Sequence, residues 1–196
     1  MKNILLTSFL FIGICLNSQN MLNYLQGIEN DTIIIWEKDN KISWDNFEGS
    51  KLVNKNMKAE SAIGIMIQPF DIDELYYDYL VFSYFHKNKS TTKVLSKHLL
   101  NHEQMHFNIG EIYARKMRKV ILKQRKINPD SIKVQEVHSN FFLEYSLFSK
   151  EYDKETKHSV IHKKQKEWDK KILNKLKELE AYSLNNYIDS LKQKLD

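Results

Sequence analysis

The apolar positions change period near residue 90. Before it they fall in short β-rich runs. Thr32-Ile33-Ile34-Ile35-Trp36 is β-branched and aromatic, and Ile42-Ser43-Trp44-Asp45-Asn46-Phe47-Glu48-Gly49 alternates before ending on a glycine. Ala59 to Gln68 and Tyr76 to Phe85 read as a strand pair, joined by the Asp-bearing turn Pro69 to Leu75. After Ser90 the period becomes helical. Val94, Leu95, His98, Leu99, His102, Met105, His106, Ile109 and Tyr113 recur at spacings of three and four, which puts them on one face of a long helix. Ser90-Thr91-Thr92 offers the N-cap hydroxyls, and the helix is expected to reach about Gln124, before Asn128-Pro129. A second helix is predicted from about Pro129 to Lys150, and a third from about Glu155 to Leu195. Strands followed by helices predict an α+β fold, an N-terminal antiparallel sheet and then long helices.

The first residues stand apart from this pattern. Lys2, an apolar stretch from Ile4 to Leu16 and the polar Asn17-Ser18 describe a secretory signal peptide over residues 1–18, leaving one domain over 19–196. The expected location is therefore periplasmic, cell-surface or extracellular. No later segment is apolar enough to span a membrane. Cys15, the only cysteine, lies inside this leader. A lipoprotein acceptor role would place it beside the bulky Ile14 rather than a small residue, so ordinary cleavage is preferred. Without the leader the chain has no thiol, and any metal site must draw on His, Asp and Glu.

Composition narrows the partners. The net charge of +5 is spread over Lys/Glu-mixed stretches, so no nucleic-acid partner is expected. The Lys-rich stretch from Lys163 to Lys177 reads as the solvated face of an amphipathic helix. Two prolines and five glycines are few for an all-β sandwich.

The chemistry is carried by His102-Glu103-Gln104-Met105-His106. Histidines four apart on a helix point the same way, one turn apart, and can converge on one zinc ion. Glu103, one residue along, flanks the metal without binding it and can take a proton from a metal-bound water. Zinc needs a third protein ligand. A third histidine six residues after His106 fails, because Ile112 stands there, and Glu111 falls about 140° around the helix. The segment Tyr152-Asp153-Lys154-Glu155-Thr156-Lys157-His158-Ser159 supplies Asp153, Glu155 and His158, between which spacing does not choose.

Three segments carry a family resemblance. Trp44-Asp45-Asn46-Phe47-Glu48-Gly49 is a W-x-x-F-x-G pattern. Leu99 to Phe107 holds the His102–His106 motif, with Ile112-Tyr113-Ala114-Arg115 after it. Tyr152 to His158 is Y-D-x-x-T-x-H, continued by Gln165-Lys166-Glu167-Trp168. On these the chain resembles domain-of-unknown-function family 922, predicted secreted zinc-dependent proteases of bacteria. Ser159 departs from the pattern, where glycine is expected. The resemblance implies a zincin-like fold with the motif on the first long helix, a Zn²⁺ cofactor, and His158 as third ligand, with Asp153 and Glu155 as the alternatives.

The function expected is a secreted zinc metallohydrolase, a peptidase with a protein or peptide substrate, in which Glu103 is the general base. Tyr152, beside the third ligand, is the candidate oxyanion donor. The rivals are an exported envelope-associated binding protein whose zinc closes a structural site, and a cell-wall amidase. Oligomeric state is not legible in the chain.

Overall fold

The computed structural model describes residues 27–28, 32–50, 57–71, 77–127 and 132–192. The expected leader, and most of the turn after Pro69, lie outside them. Five strands come first: β1 (Ile33–Ile35), β2 (Ala59–Glu60), β3 (Ile63–Asp71), β4 (Tyr77–His86) and β5 (Thr91–Thr92). Four helices follow: α1 (Lys97–Ile127), α2 (Val134–Thr156), α3 (His162–Glu178) and α4 (Leu184–Lys192). The fold is α+β, a small antiparallel sheet followed by helices. β1, β4 and β3 form one antiparallel sheet in that order, and β2 pairs with β5 in a second.

The central strand explains the layering. Leu80-Val81-Phe82-Ser83-Tyr84-Phe85 shows little polar alternation because both faces are covered. Val81 and Phe85 join Phe107, Ile109, Ile112 and Met117 of α1 in the main core. Leu80 and Phe82 face the other way, onto Tyr187, Ile188 and Leu191 of α4. Each such fully buried side chain contributes about 1.5–3 kcal/mol of apolar transfer. α1 lies very close to the sheet at Gly110. A Cβ built there would come within 2.6 Å of Ser83 Oγ and 2.7 Å of Ile63 Cγ2. That glycine serves close approach within the helix and does not end it.

Buried charge joins the same layers. Glu111 lies between Arg115 and Arg118, at 3.0 and 2.8 Å, well away from any metal-binding position. Arg118 Nε also donates to Val81 O at 2.7 Å, tying α1 to the sheet.

Several boundaries differ from the sequence expectation, each for a local reason. Thr91 and Thr92 are not a helix cap; they pair with Glu60 and Ala59. The cap is Ser96, whose Oγ accepts from Leu99 N at 3.2 Å, so α1 starts at Lys97. Val94 and Leu95 therefore precede the helix and are exposed, Leu95 by 72%. The Ile42–Gly49 run is not a strand but a corner around a 3₁₀ turn at Trp44–Asn46. Trp44 packs on Phe47 at 4.8 Å and Phe47 edge-on to Phe85 at 5.1 Å. Gly49 is pressed against Ser90 O and Thr91, where a Cβ would meet atoms at 2.8 and 2.5 Å.

The expected third helix is two helices, and its first residues belong to α2. Lys157, His158 and Ser159 take left-handed φ values of 48°, 50° and 72° and stop α2 after Thr156. A 3₁₀ turn at Glu180–Tyr182 then separates α3 from α4. Within α3, Gln165, Trp168, Ile172 and Leu176 are buried while the lysines face water, as the amphipathic pattern requires. Among the described residues no helix is long and apolar enough to cross a membrane.

Candidate metal centre

His102 to His106 lie in the second and third turns of α1. Their Nε2 atoms converge to 3.3 Å. α2 crosses this face and delivers Asp153, whose Oδ1 lies 3.1 Å from His102 Nε2 and 3.0 Å from His106 Nε2. These three residues form a group that could hold a metal ion. Of the two acidic alternatives, the structure thus brings Asp153 to the histidines and directs Glu155 elsewhere. Two residues apart on a helix is about 200°, so Glu155 points away and accepts from Trp168 Nε1 at 2.8 Å. His158, on the left-handed turn, reaches the same Asp153 Oδ1 with Nδ1 at 3.2 Å. It is not one of the three converging residues, and its side chain is 54% exposed.

The outer hydrogen bonds determine which nitrogen of His102 carries the proton. Gln165 Nε2 donates to the Tyr152 hydroxyl at 2.6 Å and to Asp169 Oδ1 at 2.7 Å. Its Oε1 is therefore the acceptor facing His102 Nδ1 at 3.0 Å. Nδ1 then carries a hydrogen, and Nε2 is the nitrogen whose lone pair, in the neutral ring, turns toward the Asp153 carboxylate. Two acceptors meet there, and a cation between them, proton or metal, satisfies both. Asn101 Nδ2 donates to the other Asp169 oxygen at 3.0 Å and completes the chain. His106 is oriented from behind by Ser149 Oγ, 2.9 Å from Nδ1.

The titrations agree with that demand. Burial opposes charge on His106, but the Asp153 hydrogen bond, with the charges of Asp153 and Glu103, outweighs it and raises its pKa above 6.5. Burial likewise works against ionised Asp153, yet its bonds to His102 and His106 hold it well below the ordinary carboxylate range.

The centre opens onto a cleft of about 450 Å³. Met57 to Ser61 form one wall, and Lys157, His158 and Val160 another. Glu103 is 3% exposed, and its Oε2 accepts from Ser61 Oγ at 2.7 Å. Tyr152 does not stand where an oxyanion donor must. It is fully buried, stacks on the His102 ring at 4.6 Å, and donates its hydroxyl to His102 O at 3.3 Å. Burial pushes its pKa up, so it stays a neutral phenol. The tyrosine that lines the cleft is Tyr145, one of a stripe with Ser149 and Asp153 at spacings of four on α2.

His98 and His162 are both outside the centre. Their rings stack at 3.9 Å, and His98 Nε2 meets Ser159 O at 2.5 Å, so the pair braces the left-handed turn. Ser61, Tyr145, Ser149 and Asp169 are the contributors that the sequence reading passed over. Ser61 is 42 residues from its partner, a contact with no local signal.

No family model, curated protein or solved structure matches the chain. The resemblance to family 922 therefore rests on the quoted segments alone.

Proposed function

We propose that the protein is a zinc-dependent metallohydrolase of zincin-like organisation, acting on peptide bonds, with His102, His106 and Asp153 as the protein ligands. One observation supports this above the rest: three donor atoms separated by 3.0–3.3 Å, with the His102 lone pair turned inward by Gln165. Tetrahedral zinc with bonds of about 2.0–2.1 Å spaces its ligand atoms by about 3.3 Å, so the donor set fits that ion. Zinc bound there would supply a water of lowered pKa and polarise the scissile carbonyl.

The chain's own groups do the rest. Glu103, held at Oε2 by Ser61, keeps its other oxygen for the proton of the attacking water and returns that proton to the leaving amine. Tyr145, kept protonated by burial, is the phenol on the cleft wall that can donate to the developing oxyanion. His158, with Nδ1 3.2 Å from Asp153 Oδ1, is placed to position the carboxylate that completes the donor set.

The test is metal analysis with peptidase assays of the purified protein. About one zinc per chain, lost in Asp153→Ala and kept in His158→Ala, is the expected result. Glu103→Gln should keep the metal and lose turnover. One observation favours the rival reading of a closed structural site: His158 is already within 3.2 Å of Asp153. If His158→Ala abolishes zinc binding as Asp153→Ala does, four protein ligands close the site and the hydrolase reading fails.

A further inference from the structure

A second hollow, of about 420 Å³, lies on the opposite flank of α1. Gln104, Asn108 and Arg115 sit about 200–240° around the helix from His102, whereas His106 is only about 40° away. The second hollow therefore shares the helix with the metal centre but not its space.

Its floor is built rather than incidental. Trp36, Asn108 and Arg115 are 6%, 1% and 1% exposed. Trp36 Nε1 donates to Asn108 Oδ1 at 2.9 Å, and Gln104 Nε2 donates to the same oxygen at 3.1 Å. Arg115 lies over the indole at 5.3 Å, with Nη1 donating to Leu176 O and Glu180 Oε2, each at 2.7 Å. Leu173 and Leu176 of α3 form an apolar wall, and Leu173 is 51% exposed with nothing over it among the described residues.

The charge around this apolar hollow is one-sided. Lys38, Lys41, Lys177 and Arg115 line it, against the single carboxylate Glu180, which is already taken by Arg115. Lys41 Nζ lies 5.9 Å from the Trp36 ring and donates only to Lys38 O. Among the described residues no carboxylate pairs with Lys38, Lys41 or Lys177. A hollow of ligand size, with an aromatic and leucine lining and uncompensated ammonium groups at its rim, suits an amphiphilic anion.

We infer that this hollow is a binding site for a small organic anion with an apolar body, its carboxylate between Lys41 and Lys177 and its apolar part against Trp36, Leu173 and Leu176. The site is independent of the hydrolase reading. It is physically joined to the metal helix through Asn108 and Gln104, the second of which lies inside the His102–His106 turn.

Calorimetric titration with phenylbutyrate, phenylbutanol and phenylbutylamine separates charge from shape, because all three share one apolar body. Phenylbutyrate should saturate one site per chain, about tenfold or more tighter than the alcohol, with the amine weaker still. A Lys41→Glu/Lys177→Glu variant, altering two exposed lysines, should lose that preference, while His106→Ala should keep it. Three results would overturn the inference: no saturable heat, equal affinity for the three probes, or loss in His106→Ala with the lysine variant unaffected. The last would place the anion at the metal centre.

Discussion

Gln165→Met tests the donor logic of the metal centre most directly, because it keeps the side-chain length and removes every side-chain hydrogen bond. Gln165 is 1% exposed and makes three contacts that the variant loses: one from His102 Nδ1, one to the Tyr152 hydroxyl and one to Asp169 Oδ1. Asp169 keeps Asn101, and the Tyr152 hydroxyl keeps His102 O, so those losses are partial. His102 Nδ1 keeps no partner, and a buried unsatisfied donor costs about 1–3 kcal/mol. Adding a fraction for the two partial losses sets an upper bound of about 2–4 kcal/mol on the destabilisation of the metal-free protein, reduced to the extent that the hydrogen moves to Nε2 and bonds Asp153 Oδ1.

The effect on metal is separate from that loss. Without Gln165 the His102 ring is free to rotate or to move its hydrogen to Nε2, the atom that must present a lone pair. Removing such a partner typically costs about 10–100-fold in metal affinity. Zinc competition against a chelator, done at a temperature where the variant is folded, reads this directly. Nitrogen chemical shifts of His102 should show Nδ1 protonated in the parent and a tautomer mixture in the variant. A variant that binds zinc as tightly as the parent would refute the claim that Gln165 presents the lone pair.

Other changes probe the remaining parts. Gly110→Ala should lower stability by about 1–2 kcal/mol in thermal or urea unfolding, since the clash with Ser83 and the stiff Ile63 outweighs the gain in helix propensity. Ser159→Gly should raise it by about 0.5–1 kcal/mol, relieving a φ of 72° without removing a side-chain hydrogen bond. Ser61→Ala should reduce kcat of any peptidase activity while leaving zinc content and KM near parental values, because only the Glu103 orientation is lost. The pH dependence of the metal-free protein follows from two opposite shifts. His106, raised above 6.5, stabilises the fold at lower pH and loses that contribution as pH climbs through its folded value. Asp153, lowered below 3.8, stabilises above that value and loses the contribution as pH falls through its folded value. Melting temperatures after chelation should therefore show the site's contribution greatest between these limits and declining above 6.5. Metal affinity should rise over that upper range, because His106 then no longer has to release a proton to solvent before its nitrogen can bind the ion.

What the sequence revealed of this site, and what it hid, follows from how local each determinant is. His102, Glu103 and His106 need only one helix, and a spacing of four is enough to converge two imidazoles. The choice among Asp153, Glu155 and His158 depended on where α2 ends. With the helix stopped at Lys150 those residues have no defined direction. Carried through to Thr156, as the structure has it, Tyr145, Ser149 and Asp153 become one stripe and Glu155 turns away. The hidden cause is the left-handed run at Lys157–Ser159, which carries no glycine to announce it. The same run braces His158 at the mouth of the cleft, held from below by His98. Gln165 and Ser61 meet their partners across 63 and 42 residues, so only the packing of α3 and of the β2 edge on α1 could reveal them. The histidine pair on α1 is thus a local statement, whereas its tautomer, the proposed third ligand and the orientation of the proposed base are properties of the assembled fold. Mutations outside the motif, at Gln165 and Ser61, should for that reason separate metal affinity from turnover more cleanly than mutations within it.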